Sequence, residues 1–189
     1  MPFDVRPYTP GDFPALADLF GRGGASNGCW CMYWRLGPRY HQRDRMENQR
    51  DRSGIASGLL AYEGSLAVGW CELAPRADFP WLATIRRLDP VDDLPVWSLP
   101  CFYIRRSHRG HGVTRALIQA AVKITREAGA PALEAYPIDT SVPGHTRNLF
   151  PGVASTFIEC GFDEVARRAP FRPIMRRSLL HAEPRAVDR

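Results

Sequence analysis

Alternating apolar and polar residues from Phe3 to Arg6 predict a first strand, with Thr9-Pro10-Gly11-Asp12 turning the chain behind it. Asp12 is a good N-cap for a helix whose apolar positions Phe13, Leu16, Ala17, Leu19 and Phe20 recur at helical spacing until Gly21, Gly23 and Gly24 stop it. Arg39 to Arg52 reads as a second helix with little apolar stripe, a solvated cover. Ile55 to Tyr62 and Leu66 to Ala74 are strand-like runs joined by Glu63-Gly64-Ser65, the pattern of a hairpin. The stretch from Pro75 to Pro95 is long and proline-punctuated, a length at which a loop is functional or carries short elements of its own. Val96 to Ile104 is almost wholly apolar and aromatic, as in a strand buried on both faces.

Val113, Leu117, Ala120, Ala121, Ile124 and Ala128 then lie on one face of a helix that Gly129 closes. Ala132 to Tyr136 predicts a strand, Val153 to Cys160 a short helix ended by Gly161, and Phe162 to Arg168 and Phe171 to Arg177 two closing strands. The order β-α-α-β-β-β-α-β-α-β-β defines an α/β fold with a mixed sheet and helices on both faces. Its strand-helix-strand unit from Val96 to Tyr136 should form a parallel pair with a right-handed crossover. There is no internal repeat, low-complexity tract or linker, so residues 1–178 are expected to form one domain, with 179–189 as a basic tail.

Composition narrows the class. With 189 residues, 44% hydrophobic and 24% charged, the chain is long enough for a real core and too apolar for disorder. No apolar run approaches the roughly 18 residues of a membrane span. The opening MPFDVRPYTPGDF lacks a basic segment followed by an apolar one, so a cytoplasmic protein without membrane attachment is expected. The five cysteines (29, 31, 71, 101, 160) are odd in number and scattered. Cys29 and Cys31 have only His41 nearby and no second ligand pair, so buried thiols are favoured over a metal site. The net charge of +5 equals the excess of the segment from Arg167 to Arg189, where seven arginines oppose only Glu183 and Asp188. A basic end with no zinc finger, helix-turn-helix or ribonucleoprotein motif argues against a nucleic-acid partner.

The chemistry concentrates in HRGHGVTRALI, His108 to Ile118, between the apolar strand and the long helix. Free N–H groups and the helix dipole make such a junction an anion site, and glycines let phosphates approach the main chain. Arg109 and Arg115 add positive charge. The competing reading is a helix-start turn with surface arginines. A nucleoside-triphosphate loop would need a lysine that is absent. A dinucleotide fingerprint would need glycine where Arg115 stands and belongs in a first strand-helix unit, although Glu134 falls at about the distance of a ribose-binding acid.

Arg109-Gly110-His111-Gly112-Val113-Thr114 resembles the Arg/Gln-x-x-Gly-x-Gly/Ala pyrophosphate loop of the GCN5-related N-acetyltransferase superfamily, with Thr114 where glycine or alanine is usual. The resemblance extends in order through VRPYTPGDFPALADLF, LLAYEGSLAVGW, CFYIRR, VTRALIQAAVKITREAGA and FIECGF. It implies a mostly antiparallel sheet with a splayed parallel pair and acetyl-CoA as acetyl donor. Arg109, Gly110, His111, Gly112, Val113, Thr114 and Arg115 would hold the pyrophosphate, with the Thr114 side chain turned away. The main chain of Phe102, Tyr103 and Ile104 would pair with the pantetheine arm and polarise the thioester, an effect of about 3 kcal/mol per donor.

The implied reaction is attack by an amine on the thioester. Glu72 is the first candidate base, with Glu134, Asp78 and Asp139 behind it. The position of the family's usual acidic tyrosine holds Phe157, which leaves Tyr136 or Tyr103 as acid, or unaided departure of the thiolate. Trp30, Tyr33 and Trp34 in CWCMYW would border the acceptor cleft, unless they form an aromatic plug. Asp89, Asp92 and Asp93 of the long loop, with Asp78, would favour a cationic acceptor, and Asp78, Glu134 and Asp139 would also contact the substrate. The implied activity is acetyl transfer to a primary amine of a small molecule, an aminoglycoside-type antibiotic being one acceptor class. A protein-amine acetyltransferase and a non-catalytic acetyl-CoA sensor are the alternatives, and a homodimer is compatible with the family.

Overall fold

The computed structural model describes residues 3–25 and 28–180. Its elements are β1 (Asp4–Pro7), α1 (Phe13–Phe20), α2 (Tyr33–Leu36), α3 (Gln42–Arg50), β2 (Leu59–Glu63), β3 (Leu66–Cys71), β4 (Ala74–Pro75) and β5 (Trp97–Leu99). These are followed by β6 (Phe102–Ile104), α4 (Val113–Glu127), β7 (Ala132–Ala135), α5 (Ala154–Glu159), β8 (Asp163–Arg167) and β9 (Pro173–Ser178). The strands form two sheets, ordered β1-β2-β3-β6 and β4-β5-β7-β9-β8. Only the β5–β7 pair is parallel, and α4 is the crossover between its strands, as the sequence predicts.

The expected continuous strand from Val96 to Ile104 is broken between β5 and β6 by Pro100 and Cys101, since proline can give neither neighbour a ladder bond. Its first half pairs in parallel with β7, Trp97 to Leu133 and Leu99 to Ala135. Its second half pairs antiparallel with β3, Cys71 to Phe102 and Gly69 to Ile104. Beyond Leu99 and Ala135 the parallel strands therefore part, and a wedge opens between Phe102 and the chain after Tyr136.

Period-two alternation sorts the core into two layers. Leu59, Ala61, Val68, Cys71, Leu99, Leu133 and Met175 pack with Val113, Leu117, Ile118 and Ala121 of α4. Leu60, Tyr62, Ala67, Trp70, Tyr136 and Ile174 pack with Leu16, Leu19 and Phe20 of α1 and with the 30–34 segment. Other expectations shift. The helix read over Arg39 to Arg52 is shorter and buries Arg45 and Gln49 rather than merely covering. The strand read from Ile55 begins only at Leu59, behind a 3-10 turn at Ile55–Ser57. Three 3-10 turns at 76–78, 80–84 and 86–88 fold the long loop down on Phe79, Leu82 and Leu88. Residues 181–189 of the basic tail lie outside the described residues.

Asp12 does not cap α1 with its side chain. It turns back instead, accepting from Thr9 N–H (3.0 Å), Thr9 Oγ1 (2.7 Å), Tyr62 Oη (3.0 Å) and Arg6 Nη2 (3.1 Å). Partial burial pushes its carboxyl up, but the Thr9 and Tyr62 hydrogen bonds outweigh it and hold the group below its ordinary value. A depressed carboxyl stabilises the fold above the unfolded pKa of about 4, and the gain is lost as pH falls through the folded value. Asp12→Asn is therefore expected to cost about 1 kcal/mol at pH 7, roughly 3 °C in melting temperature. The gap from wild type should close in melts below about pH 4.

Candidate active site

The loop before α4 has the geometry of an anion cradle. Gly110 (φ 79°) and Gly112 (φ 84°) are left-handed, conformations that cost other residues about 1–2 kcal/mol. A Cβ at either would meet no heavy atom of the protein within 4 Å, so both face open space. Gly112 is the N-cap of α4, and its carbonyl accepts the first helical bond, from Ala116 N–H at 3.0 Å. The N–H groups of Gly110, Gly112, Val113, Thr114 and Arg115 have no acceptor among the described residues. They border a cavity of about 270 Å3 lined also by Ile104, His108, Arg109, Thr156 and Glu159.

The side chains of this loop divide their roles. Arg109 Nε donates to the Ile104 carbonyl at 3.2 Å, which ties the loop to the edge of β6. Arg115 is paired with Glu159 of α5, a residue that carries no signal in the sequence because its partner lies 44 positions away. His111 keeps its ring on the Arg109 carbonyl (3.0 Å) and does not line the cavity. Thr114 borders the cavity, where its N–H has no acceptor among the described residues.

Along β6, Glu72 N–H donates to Cys101 O and Arg105 N–H to Val68 O, both at 2.9 Å. Alternation then turns the main chain of Tyr103 toward β3 and that of Phe102 and Ile104 toward the wedge. Only the latter two face the side expected of all three. The Phe102 N–H is engaged by the Phe150 carbonyl at 2.6 Å, and Ile138 forms a parallel bridge with Val153. Residues 150–153 thus line the wedge. Phe157 is fully buried between Phe102 and Phe162, with centroids at 6.0 and 5.1 Å, and brings no proton donor.

Glu72 is also fully buried, at the end of β3. Its carboxylate accepts from Arg35 Nε at 2.8 Å and from Arg52 Nη1 at 2.8 and 3.0 Å. Both arginines also donate to the Ala56 carbonyl, at 2.9 and 2.7 Å, so the carboxylate clamps α2 and the chain after α3 to the sheet. Asp78 is only loosely attached, 3.4 Å from Arg35 Nη1. Asp139 accepts from Ser141 and Arg167, which hold its carboxyl below the usual range.

A second polar group is built on β5, β7 and β9. The buried Tyr136 hydroxyl receives a bond from Arg76 Nη1 (2.5 Å), shares one with Ser98 Oγ (2.8 Å) and donates to Glu134 Oε2 (3.2 Å). Burial and the charge of Glu134 push its phenol well above the ordinary value, which weakens it as an acid. Glu134 is held by Arg176 Nη2 at 2.7 Å, and Arg176 also grips Asp92 at 2.6 and 3.0 Å. Arg76, Asp92, Glu134 and Arg176 of this group floor a cavity of about 410 Å3 under the long loop, lined also by Pro75, Phe79, Leu82, Val91, Asp93 and Val96, whereas Tyr136 and Ser98 do not line it. Arg76, Ser98 and Arg176 escape a sequence reading because each acquires its role only through a carboxylate or hydroxyl distant in the chain.

The aromatic segment splits. Trp30 stacks on Phe13 (5.8 Å, 20°) and meets Phe20 edge-on at 5.7 Å, and Trp34 is equally buried. Tyr33 is half-buried, edge-on to Trp81 at 6.4 Å. Cys31 and Cys101 place their sulfurs 3.6 Å apart beneath them. The described residues contain no group of three or more His, Cys, Asp or Glu arranged to hold a metal, and no helix long and apolar enough to cross a membrane.

A strand-turn-helix anion cradle beside a wedge in a mixed sheet marks a protein built to hold a phosphate-bearing cofactor against a strand edge. A model of the acetyltransferase (GNAT) family matches residues 26–146, and the chain belongs to that family. No curated protein sequence matches the chain. Its fold is similar to that of yncA from Salmonella typhimurium, solved with acetyl-CoA, at 16% identity and a TM-score of 0.55 over 98% of this chain and 99% of that one. It is similar too to PaiA N-acetyltransferase from Thermoplasma acidophilum, in complex with coenzyme A, at 15% identity and a TM-score of 0.53 over 94% and 99%. The histone acetyltransferase HPA2 and related acetyltransferase from Corynebacterium glutamicum is 22% identical, with a TM-score of 0.58 over 98% and 99%. At these identities the likeness is one of fold.

Proposed function

We propose that this protein transfers an acetyl group from acetyl-CoA to the primary amine of a small molecule. The observation that carries the reading is the convergence of five unpartnered N–H groups, from Gly110 to Arg115, on one cavity at the start of α4. Such a set suits a pyrophosphate, and the two left-handed glycines leave it open to approach. Acetyl-CoA supplies the acyl group as a thioester when bound. The chain contributes the cradle, the Ile104 edge tied to Arg109, and the Phe102 amide. For that amide to serve a thioester carbonyl, the carbonyl of Phe150 has to give way.

A small-molecule acceptor is favoured over a protein because the 76–95 loop packs down on the sheet through Phe79, Leu82 and Leu88 rather than leaving an open groove. The reasons for a polycationic, aminoglycoside-type acceptor are weakened by the burial of Trp30 and Trp34 and by the arginine partners of Glu134, Asp92 and Asp139. Titration calorimetry with acetyl-CoA tests the cradle, with binding expected and lost in Gly112→Ala. Release of free thiol in the presence of small primary amines tests the transfer. Binding without thiol release from any amine would leave a sensor, and no heat at all would end the reading.

A further inference from the structure

Two arginines near the start of β9 differ in one respect. Arg176 is neutralised, gripping Asp92 and Glu134. Arg172, four positions earlier in the β8–β9 turn, is only 7% exposed, and its Nε has no hydrogen-bond partner. Among the described residues Arg87 of the long loop and the Cys101 thiol act on it, and no carboxylate pairs with it. A buried guanidinium without an anion is costly, and structures rarely keep one without a use.

Its position supplies the use. The turn carrying Arg172 is fastened to the open end of β7, where Asp139 N–H donates to the Phe171 carbonyl at 2.9 Å and His145 stacks on Phe171 at 3.9 Å. Cys101, whose thiol acts on Arg172, packs in the same layer as Tyr136 and Ile174, so Arg172 adjoins that side of the sheet. Cys101 immediately precedes Phe102, whose amide faces the wedge. Arg172 therefore stands at the mouth of the wedge, on the face opposite α4. None of Arg87, Cys101 and Arg172 lines the cradle cavity, so the pyrophosphate is not the missing anion.

We infer that Arg172, assisted by Arg87, binds a carboxylate carried by the acceptor, so that the substrate is an amino acid or another amine bearing an acid group. The inference rests on the acetyl-transfer reading and narrows its acceptor. Burial, reinforced by Arg87, pushes the Arg172 guanidinium down to about 10, which leaves it charged at neutral pH yet short of a counter-ion. An arriving carboxylate would supply that counter-ion through charge-assisted hydrogen bonds.

The test uses matched pairs with the full chain: phenylalanine against phenethylamine, leucine against 3-methylbutylamine, lysine against cadaverine, with alanyl-alanine as a peptide-borne carboxylate. Thiol release from acetyl-CoA gives kcat/KM for each, and melting temperature reports binding independently of turnover. At least one acid should exceed its decarboxylated partner by roughly tenfold or more. Arg172→Gln should remove that preference through KM, leave acetyl-CoA affinity unchanged, and abolish the acid's effect on melting. Arg172→Lys should restore part of it. Because the charge is unpartnered, Arg172→Gln should not lower the melting temperature of the ligand-free protein. Preference for the decarboxylated partners, an equal loss for both members in Arg172→Gln, or no melting shift with any acid would each overturn the inference. Failure to bind acetyl-CoA would instead overturn the acetyl-transfer reading, and the melting shifts would then decide the anion site alone.

Discussion

Glu72→Gln protein is expected to melt about 10 °C below wild type, from a loss of roughly 3–5 kcal/mol when one member of a buried ion cluster is removed. The cause is a count of charges. Arg35 and Arg52 converge on this single, fully buried carboxylate. Removing it leaves two guanidiniums side by side with, among the described residues, only the exposed Asp78, 3.4 Å from Arg35, to oppose them. Removing Arg52 leaves a neutral pair, so Arg52→Gln should cost distinctly less. The reverse order in thermal melts would refute this account. The same variant decides whether Glu72 is the base. A base must reach the amine, whereas both oxygens of Glu72 are already taken by guanidinium donors. The pH–rate profile of Glu72→Gln, measured well below its melting point, is therefore expected to keep its acidic limb. Loss of that limb with melting unchanged would restore the catalytic role.

What a carboxylate is paired with marks the limit of what the chain discloses when read linearly. The crossover from β5 through α4 to β7 is legible because each part has a local signature: an apolar run, a glycine turn, an apolar helical face and a closing glycine. The cradle is legible for the same reason, since its N–H groups come from one short stretch of chain. The fate of Glu72 is set by arginines 37 and 20 positions earlier, Arg35 just after the aromatic segment and Arg52 at the end of a stretch that reads as polar cover. Arg52 looks like one more charge on a solvated helix until the burial of Gln49 beside it is seen. The break in the long strand was signalled by Pro100, but only the register shows that it marks the point where pairing passes from β7 to β3. The one-turn helix α2 has no signature, because tryptophan and tyrosine serve a helix and an aromatic plug equally well.

The cradle depends on a residue outside it. Gly69 of β3 faces the first turn of α4, and a Cβ there would lie 2.5 Å from Val113 Cγ1 and 3.2 Å from both Ile104 Cδ1 and Leu117 Cδ1. Its backbone is not left-handed, so Gly69→Ala brings overcrowding rather than backbone strain, at about 1–3 kcal/mol. Val113 is the first residue of α4 and one of the five amides of the cradle, so relief of the clash must move the cradle itself. Acetyl-CoA affinity should fall about tenfold or more, while the melting temperature drops by only a few degrees. The second substitution Val113→Ala removes the methyl that is struck and should recover most of the affinity in the double variant, though on its own it weakens the core. That non-additivity, read by calorimetry around a double-mutant cycle, separates displacement of the helix from general loosening. If the two losses simply add, Gly69 does not set the height of α4 above the sheet, and the cradle owes its position to the loop alone.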